Sequence, residues 1–202
     1  MNPARFWSTD CKEAPMHARV QPSLYQQLES LPSGLIGEIL NGQLHTQPRP
    51  SGPHAYAASA LGAELFPPFS KGRGGQGGWW IIDEPELHFL LDEEVEVPDL
   101  AGWRRERMPN IPTGHRFRVV PDWVCEVLSP STESKDRELK MPIYAHFGVA
   151  FAWLLDPRKR LLETYALCQG RWRETGRFSG NDQVRAAPFE TLAIALDDLW
   201  VS

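Results

Sequence analysis

The 202-residue chain is 42% hydrophobic and 23% charged, the proportions of an ordinary globular protein, and it is long enough to bury the core of one α/β domain. Its net charge of −5 argues against binding nucleic acid by bulk electrostatics, so a nucleic-acid partner would need a local basic patch or bound metal ions. No apolar run reaches the roughly 20 residues of a membrane span, residues 1–10 lack a signal peptide's apolar stretch, and Cys11, Cys125 and Cys168 are too few and scattered for a disulfide framework or zinc site: a cytoplasmic protein is expected.

The first residues mix polar and small types without periodicity, which predicts a loose arm over 1–20 and a single domain over 21–202. Residues 22–31 suit a short helix with Leu24 and Leu28 on one face and Pro22 in its first turn. Asn41-Gly42 between two apolar stretches predicts a tight hairpin with Glu38 on its first strand. A helix is expected over 53–66, capped by Ser51 or Gly52, with Ala57, Ala58, Leu61 and Leu65 as its apolar stripe and Pro67-Pro68 as its stop. The glycines of 71–78 lack phosphate-loop spacing, so a flexible connector is the expectation.

Segments 79–82, 86–91 and 94–100 resemble successive strands. Residues 101–118 read as a polar loop carrying Arg104, Arg105, Arg107, His115, Arg116 and Arg118. Such a cluster is either a solvated loop or, lying between two candidate acids, a phosphate contact. Residues 123–128 form a nearly all-apolar run suited to an interior strand, with Cys125 as a buried thiol and Glu126 as its one acid. A helix capped by Ser131 or Thr132 should run to Phe147 and end at Gly148, kinked or divided by Pro142. A buried strand over 149–155, a hairpin around Gln169-Gly170, and a short strand plus helical turn over 192–200 complete the chain. Most of the eight tryptophans should be core or groove-lining.

An unpaired carboxylate in an apolar strand costs several kcal/mol, roughly, so Glu126 needs a salt bridge, a raised pKa or a metal ion. Pro98-Asp99 closes another strand-like run. Two carboxylates on neighbouring strand ends repel unless a cation lies between them, and a hard divalent ion accepts such oxygen donors. Each residue also has a plainer reading. Glu126 could be a structural ion pair with Lys140, Asp99 a turn cap, and Glu38 a solvated hairpin acid. His54 could be a surface or packing residue and Tyr144 a core one.

Pro98-Asp99, the string from Glu126 to Thr132, Lys140 to Tyr144, Gly148-Val149 and Trp153 to Pro157 together resemble the Uma-two family, a group of endonucleases in the PD-(D/E)XK superfamily. Glu38 to Gly42 resembles its Glu-x-x-Asp-Gly element with asparagine in place of aspartate, and His54 matches a histidine after the following loop. The resemblance spans about residues 24–200. It implies an α/β, restriction endonuclease-like fold: a central mixed β-sheet flanked by helices, with added β-hairpins. It further implies a nuclease acting on DNA through one or two Mg2+ or Mn2+ ions held by Asp99, Glu126 and Glu38. Leu128 stands where the wider superfamily has lysine, and the resemblance implies Lys140 as the substitute, supported by Tyr144; Lys135, near the helix start, should point to solvent. A homodimer would let two sites cut a duplex. The rival readings are a catalytically silent nucleic-acid or protein-binding module on the same fold, and a hydrolase of another phosphoester.

Overall fold

The Asn41-Gly42 pair takes left-handed φ at both positions, 51° and 72°, the geometry that matches a two-residue turn to strand twist. It joins β1 (Leu35–Leu40) to β2 (Gln43–Pro48) in unbroken antiparallel register, with Glu38 opposite His45. The computed structural model describes residues 21–201; the expected arm over 1–20, with Cys11, lies outside them. The first helix, α1 (Leu24–Glu29), is shorter than expected because Ser23 caps it: Ser23 Oγ accepts from the Gln26 N–H while the Gln26 side chain accepts from the Ser23 N–H. Pro22 therefore precedes the helix.

Three prolines expected to end or kink helices, Pro67, Pro68 and Pro142, are instead accommodated by wider turns. Helix α2 (Gly52–Leu65), preceded by Ser51 and with Pro53 in its first turn, passes directly into a π-helical turn, Phe66–Ser70. Pro67-Pro68 thus does not stop the chain's helical course. The second rod runs through α3 (Glu133–Lys135), a π-turn (Asp136–Lys140) and α4 (Met141–Phe147), and Gly148 ends it at φ 80°. Pro142 sits just beyond that π-turn. A proline has no N–H and crowds the carbonyl four residues back, and a wider turn relieves both. The glycine-rich segment after Ser70 is not a free connector. Arg73 and Gly77 donate backbone N–H groups to Pro67 and Pro68, and a Cβ on Gly75 would stand 2.5 Å from Pro68 Cβ.

The run expected as one strand over 94–100 is broken by Pro98. It gives β5 (Glu94–Glu96) and, beyond Asp99, β6 (Leu100–Arg104), whose residues 101–104 fall in the segment expected as a loop. Buried β6 lies between β3 (Trp79–Asp83) and β8 (Trp123–Val127). Gly102 permits this packing, since a Cβ there would meet Ile81 and Trp123 at 3.2 Å.

The six-stranded sheet has the order β11-β10-β9-β8-β6-β3, where β9 is Phe151–Asp156, β10 Leu161–Cys168 and β11 Arg171–Ser179. Its β8–β9 pair is parallel and the rest antiparallel. The five-stranded sheet has the order β2-β1-β5-β4-β7, with β4 (Glu86–Leu90) and β7 (Arg116–Phe117) parallel. A small pair, β12 (Gln183–Val184) and β13 (Ile194–Ala195), precedes a 3-10 turn at Leu196–Leu199. The architecture is mixed α/β.

Alternate residues of β8 face two cores. Trp123, Cys125 and Val127 join α2 and Phe189 on one side; Val124 and Leu128 join Met141 and Tyr144 on the other. Phe189 lies 4.6–5.7 Å from the rings of Phe69, Trp79, Trp123 and Trp153. Glu126 has the parity of the second side.

Candidate active site

Three strand ends meet at one end of the six-stranded sheet. The antiparallel register pairs Leu100 with Cys125 and Asp83 with Leu100. One step further, Asp99 therefore stands across from Glu126 on one side and Glu84 on the other, at the spacing where facing Cβ atoms are about 5 Å apart. The backbone fixes Asp99: Val127 N–H donates to its Oδ2 at 2.7 Å, and Glu84 N–H donates to its carbonyl at 3.1 Å. His54, in the first turn of α2, places Nε2 3.4 Å from Asp99 Oδ1. Its Nδ1 is buried without a hydrogen-bond partner among the described residues.

Lys140 joins the two sheets. Its ammonium lies 2.7 Å from Glu38 Oε1 on β1 and 2.8 Å from Glu126 Oε1 on β8, and it donates to the Val97 carbonyl at 3.1 Å. All three side chains are at most 4% exposed. Tyr144, one turn on, donates its hydroxyl to Glu126 Oε1 at 2.5 Å. Lys135 does not point to solvent. Its ammonium pairs with Glu38 Oε2 and donates to Gln47, because the hairpin packs over the helix start. Glu38 accepts both lysines and the Val97 N–H, so the residue expected as a third metal ligand is the lysines' counter-ion.

Burial and crowding set the protonation of this cluster. Burial would raise the Glu38 pKa, but Lys140 and Lys135 more than offset it and hold the carboxyl at about 2. Burial, reinforced by the charge of Glu126, pushes Asp99 up to about 8. Glu126 is pushed up to about 7 by burial, which Lys140 counters in part. Burial lowers the pKa of His54, which disfavours an imidazolium–carboxylate ion pair in its 3.4 Å contact with Asp99. Burial also depresses the Lys140 ammonium, yet Glu126, Glu38, Asp136 and Glu96 outweigh it and keep the charge.

Two members of the cluster had no signal in the sequence reading. Asp136 is buried and pushed up to about 6 by burial. Glu96 is fully buried, neither of its oxygens has a hydrogen-bond partner among the described residues, and burial raises it well above the usual carboxylate range. The alternation Glu94-Val95-Glu96-Val97 reads as a strand with a wet face, which hides Glu96.

The arginines expected near phosphate are elsewhere. Arg104, Arg105 and Arg107 lie at or beyond the far end of β6, about 16 Å from Asp99 at ordinary strand rise. Arg104 sits 5.0 Å over the Trp79 ring. Arg105 stacks 3.7 Å over Trp80 and donates to the Ser70 and Trp79 carbonyls. Arg107 pairs with Asp122 at 2.9 Å. Arg116, on the far edge of the five-stranded sheet, covers Tyr25 and pairs with Asp92 and Glu29. These contacts tie down the fold.

Among the described residues no three His, Cys, Asp or Glu side chains converge closely enough to form a complete cation cage. The fit to a metal rests on two carboxylates. Asp99 and Glu126 offer hard oxygen donors on facing strand ends, both held above their usual pKa by burial, and a small divalent ion takes one or two carboxylates with water or phosphate completing its shell.

The mixed sheet flanked by helices is that of the restriction endonuclease-like fold. The family model Uma2, described as "Putative restriction endonuclease", matches residues 22–197, and the chain belongs to that family. A solved structure from Anabaena variabilis ATCC 29413, described as a "putative nuclease belonging to DUF820", is similar with a TM-score of 0.69 at 22% identity, covering 89% of this chain and 97% of that one. No curated protein matches the chain. Among the described residues no helix is long and apolar enough to cross a membrane.

Proposed function

We propose that this chain, with residues 21–202 as one domain, is a metal-dependent nuclease that hydrolyses phosphodiester bonds in DNA, with Asp99 and Glu126 holding Mg2+ or Mn2+. The observation that carries the reading is the pair of facing carboxylates held up at about 8 and 7 beside an ammonium 2.8 Å from one of them. Two neighbouring acids that burial keeps from ionising suit a divalent cation, which would favour their carboxylate forms and can itself bind a phosphate. A bound divalent ion supplies Lewis-acid polarisation of the phosphoryl oxygen and a water acidic enough to ionise near neutral pH. Lys140 supplies fixed positive charge where a phosphoryl group gains negative charge. Tyr144 holds Glu126 by its hydroxyl, and Glu38 holds Lys140 and Lys135. His54 steadies Asp99.

The test is incubation with supercoiled plasmid, single-stranded DNA and RNA, each with Mg2+, Mn2+ or EDTA, for the parent, Asp99→Asn, Glu126→Gln and Tyr144→Phe. Metal-dependent cleavage by the parent is expected. The two ligand variants should lose more than the roughly 10–100-fold usual for a residue one step from the metal, and Tyr144→Phe should fall within that range. A folded parent that cleaves none of these substrates would overturn the reading in favour of a silent binding module on this fold.

A further inference from the structure

The candidate site lies in the middle of a groove. One recess, of about 440 Å3, separates α2 from β3 and β6 and reaches Asp99 and His54. A second recess shares Asp99, His54 and Glu84 with it and continues between Arg49 and the hydroxyls of Ser129, Ser131 and Thr132. A third shares Ser131 and Thr132 and runs on to Lys135. The two arms differ in chemistry. Hydroxyls of Ser129, Ser131 and Thr132 line that arm, and Thr46 and Ser134 continue it, neutral donors that suit a sugar–phosphate chain. The α2 arm is a slot with apolar sides and carboxylates at its rim.

The slot exists because, between His54 at one end and Phe66 at the other, the lining face of α2 carries only small residues: Ala55, Ala58, Ser59, Gly62 and Ala63. Packing does not demand the smallest of these, since a Cβ on Gly62 would meet Leu100 at an ordinary 3.5 Å. Ile81 and Leu100 form the opposite wall, and Asp83 and Glu84 stand at the rim beside Asp99. Its volume falls within the roughly 300–1,000 Å3 of small-molecule pockets. Phosphate is the wrong occupant, because three carboxylates face it and Arg49, at 3.4 Å, already pairs with Glu84. A flat, uncharged ring with N–H groups on its edge is the right one. Its faces meet the apolar walls and its edge donates to the carboxylates.

We infer that the slot between α2 and β3–β6 receives an unpaired nucleobase of a strand lying across the site, and that its acidic rim favours bases with an exocyclic amino group. This rests on the nuclease reading for the strand but not for its cleavage. A base inside a duplex is stacked and paired, so the substrate is single-stranded or presents an extrahelical base. Cytosine and adenine bring an amino donor to a carboxylate, whereas thymine turns its O4 acceptor toward it.

The test measures fluorescence-anisotropy affinities of single-stranded dC8, dA8, dT8 and an eight-unit abasic strand, with Ca2+ in place of Mg2+. The parent is compared with Ala55→Leu and Ser59→Phe. Both positions are exposed on α2, so the larger side chains fill the slot without entering the core, and an unchanged melting temperature checks the fold. The parent should bind dC8 and dA8 about tenfold or more tighter than the abasic strand, as stacked bases do, and severalfold tighter than dT8. Both variants should lose most of that difference. Equal affinity for all four strands, no binding of any, or full discrimination retained by the variants overturns the inference. Discriminating binding without Mg2+-dependent cleavage sinks the nuclease reading and leaves the slot; cleavage indifferent to abasic substitution does the reverse.

Discussion

The helical rod from Glu133 to Phe147 borders two ionic clusters built on opposite principles. On its outer side, Glu133, Asp156, Glu163 and Glu174 meet Arg137, Arg158, Lys159 and Arg177 in matched numbers. There Arg158 and Lys159 hold Glu133 at about 2, and Asp156 is also lowered: burial would raise it, but hydrogen bonds from Arg158 and Lys159 prevail. On the inner side Glu38, Glu96, Asp99, Glu126 and Asp136 share two lysines, Lys135 and Lys140. Four of those five acids are pushed up. A balanced cluster stabilises a fold and has no place for a further cation, whereas an acid-rich one is incomplete until it gains positive charge. The contrast separates a scaffold from a site on the same helix.

The largest effect should come from removing the inner cluster's central cation. Lys140→Met leaves Glu126 buried without its cation and Glu38 with Lys135 alone, and breaking a buried pair from one side costs about 3–5 kcal/mol. Urea unfolding at pH 9 should read that loss, and it should shrink toward pH 6, because without Lys140 to counter its burial Glu126 takes up a proton more readily still. A loss as small at Lys140 as at a surface arginine would erase the contrast.

Asp99→Asn should move stability and activity in opposite directions. A carboxyl whose pKa is higher folded than unfolded binds its proton more tightly in the folded state. That stabilisation is fully present below the unfolded pKa and is lost as pH rises through the folded value. With Asp99 at about 8 and Glu126 at about 7, metal-free protein should lose thermal stability from about pH 4 to pH 8. Asp99→Asn should recover about 0.5–2 kcal/mol at pH 8.5, the size of other stabilising changes, while cleavage is lost. For the same reason Mg2+ should raise the parent's melting temperature more at pH 8.5 than at pH 6. A metal-induced shift that does not grow with pH would count against Asp99 and Glu126 as its ligands.

The outer cluster should respond least. Arg177, half exposed, pairs with Glu163 and Glu174, and Arg177→Ala should cost no more than about 1 kcal/mol. Its acids should act oppositely in pH: Glu133, held near 2, contributes stability above its usual pKa near 4.5 that disappears as the solution is acidified toward 2. Acid titration of melting temperature, with and without Glu133→Gln, checks that sign.

Much of this contrast was written in short stretches of sequence. Asn41-Gly42 determined a turn, and with it a strand carrying Glu38, because backbone freedom at two positions decides a hairpin locally. An acid inside the apolar run at 123–128, and Asp99 after Pro98, marked the strand ends that meet. Lys140 and Tyr144, four residues apart, shared a face as spacing requires. Tertiary structure alone decided the rest. It converted 101–104 from loop into a central strand, turned Lys135 inward under the hairpin, and buried Glu96 and Asp136. It also carried the arginines of 104–107 to the far end of β6. Backbone propensity and side-chain period act over a few residues, so sequence reveals them. Burial, and the charge balance that sets a pKa, arise from elements distant in the chain that packing brings together.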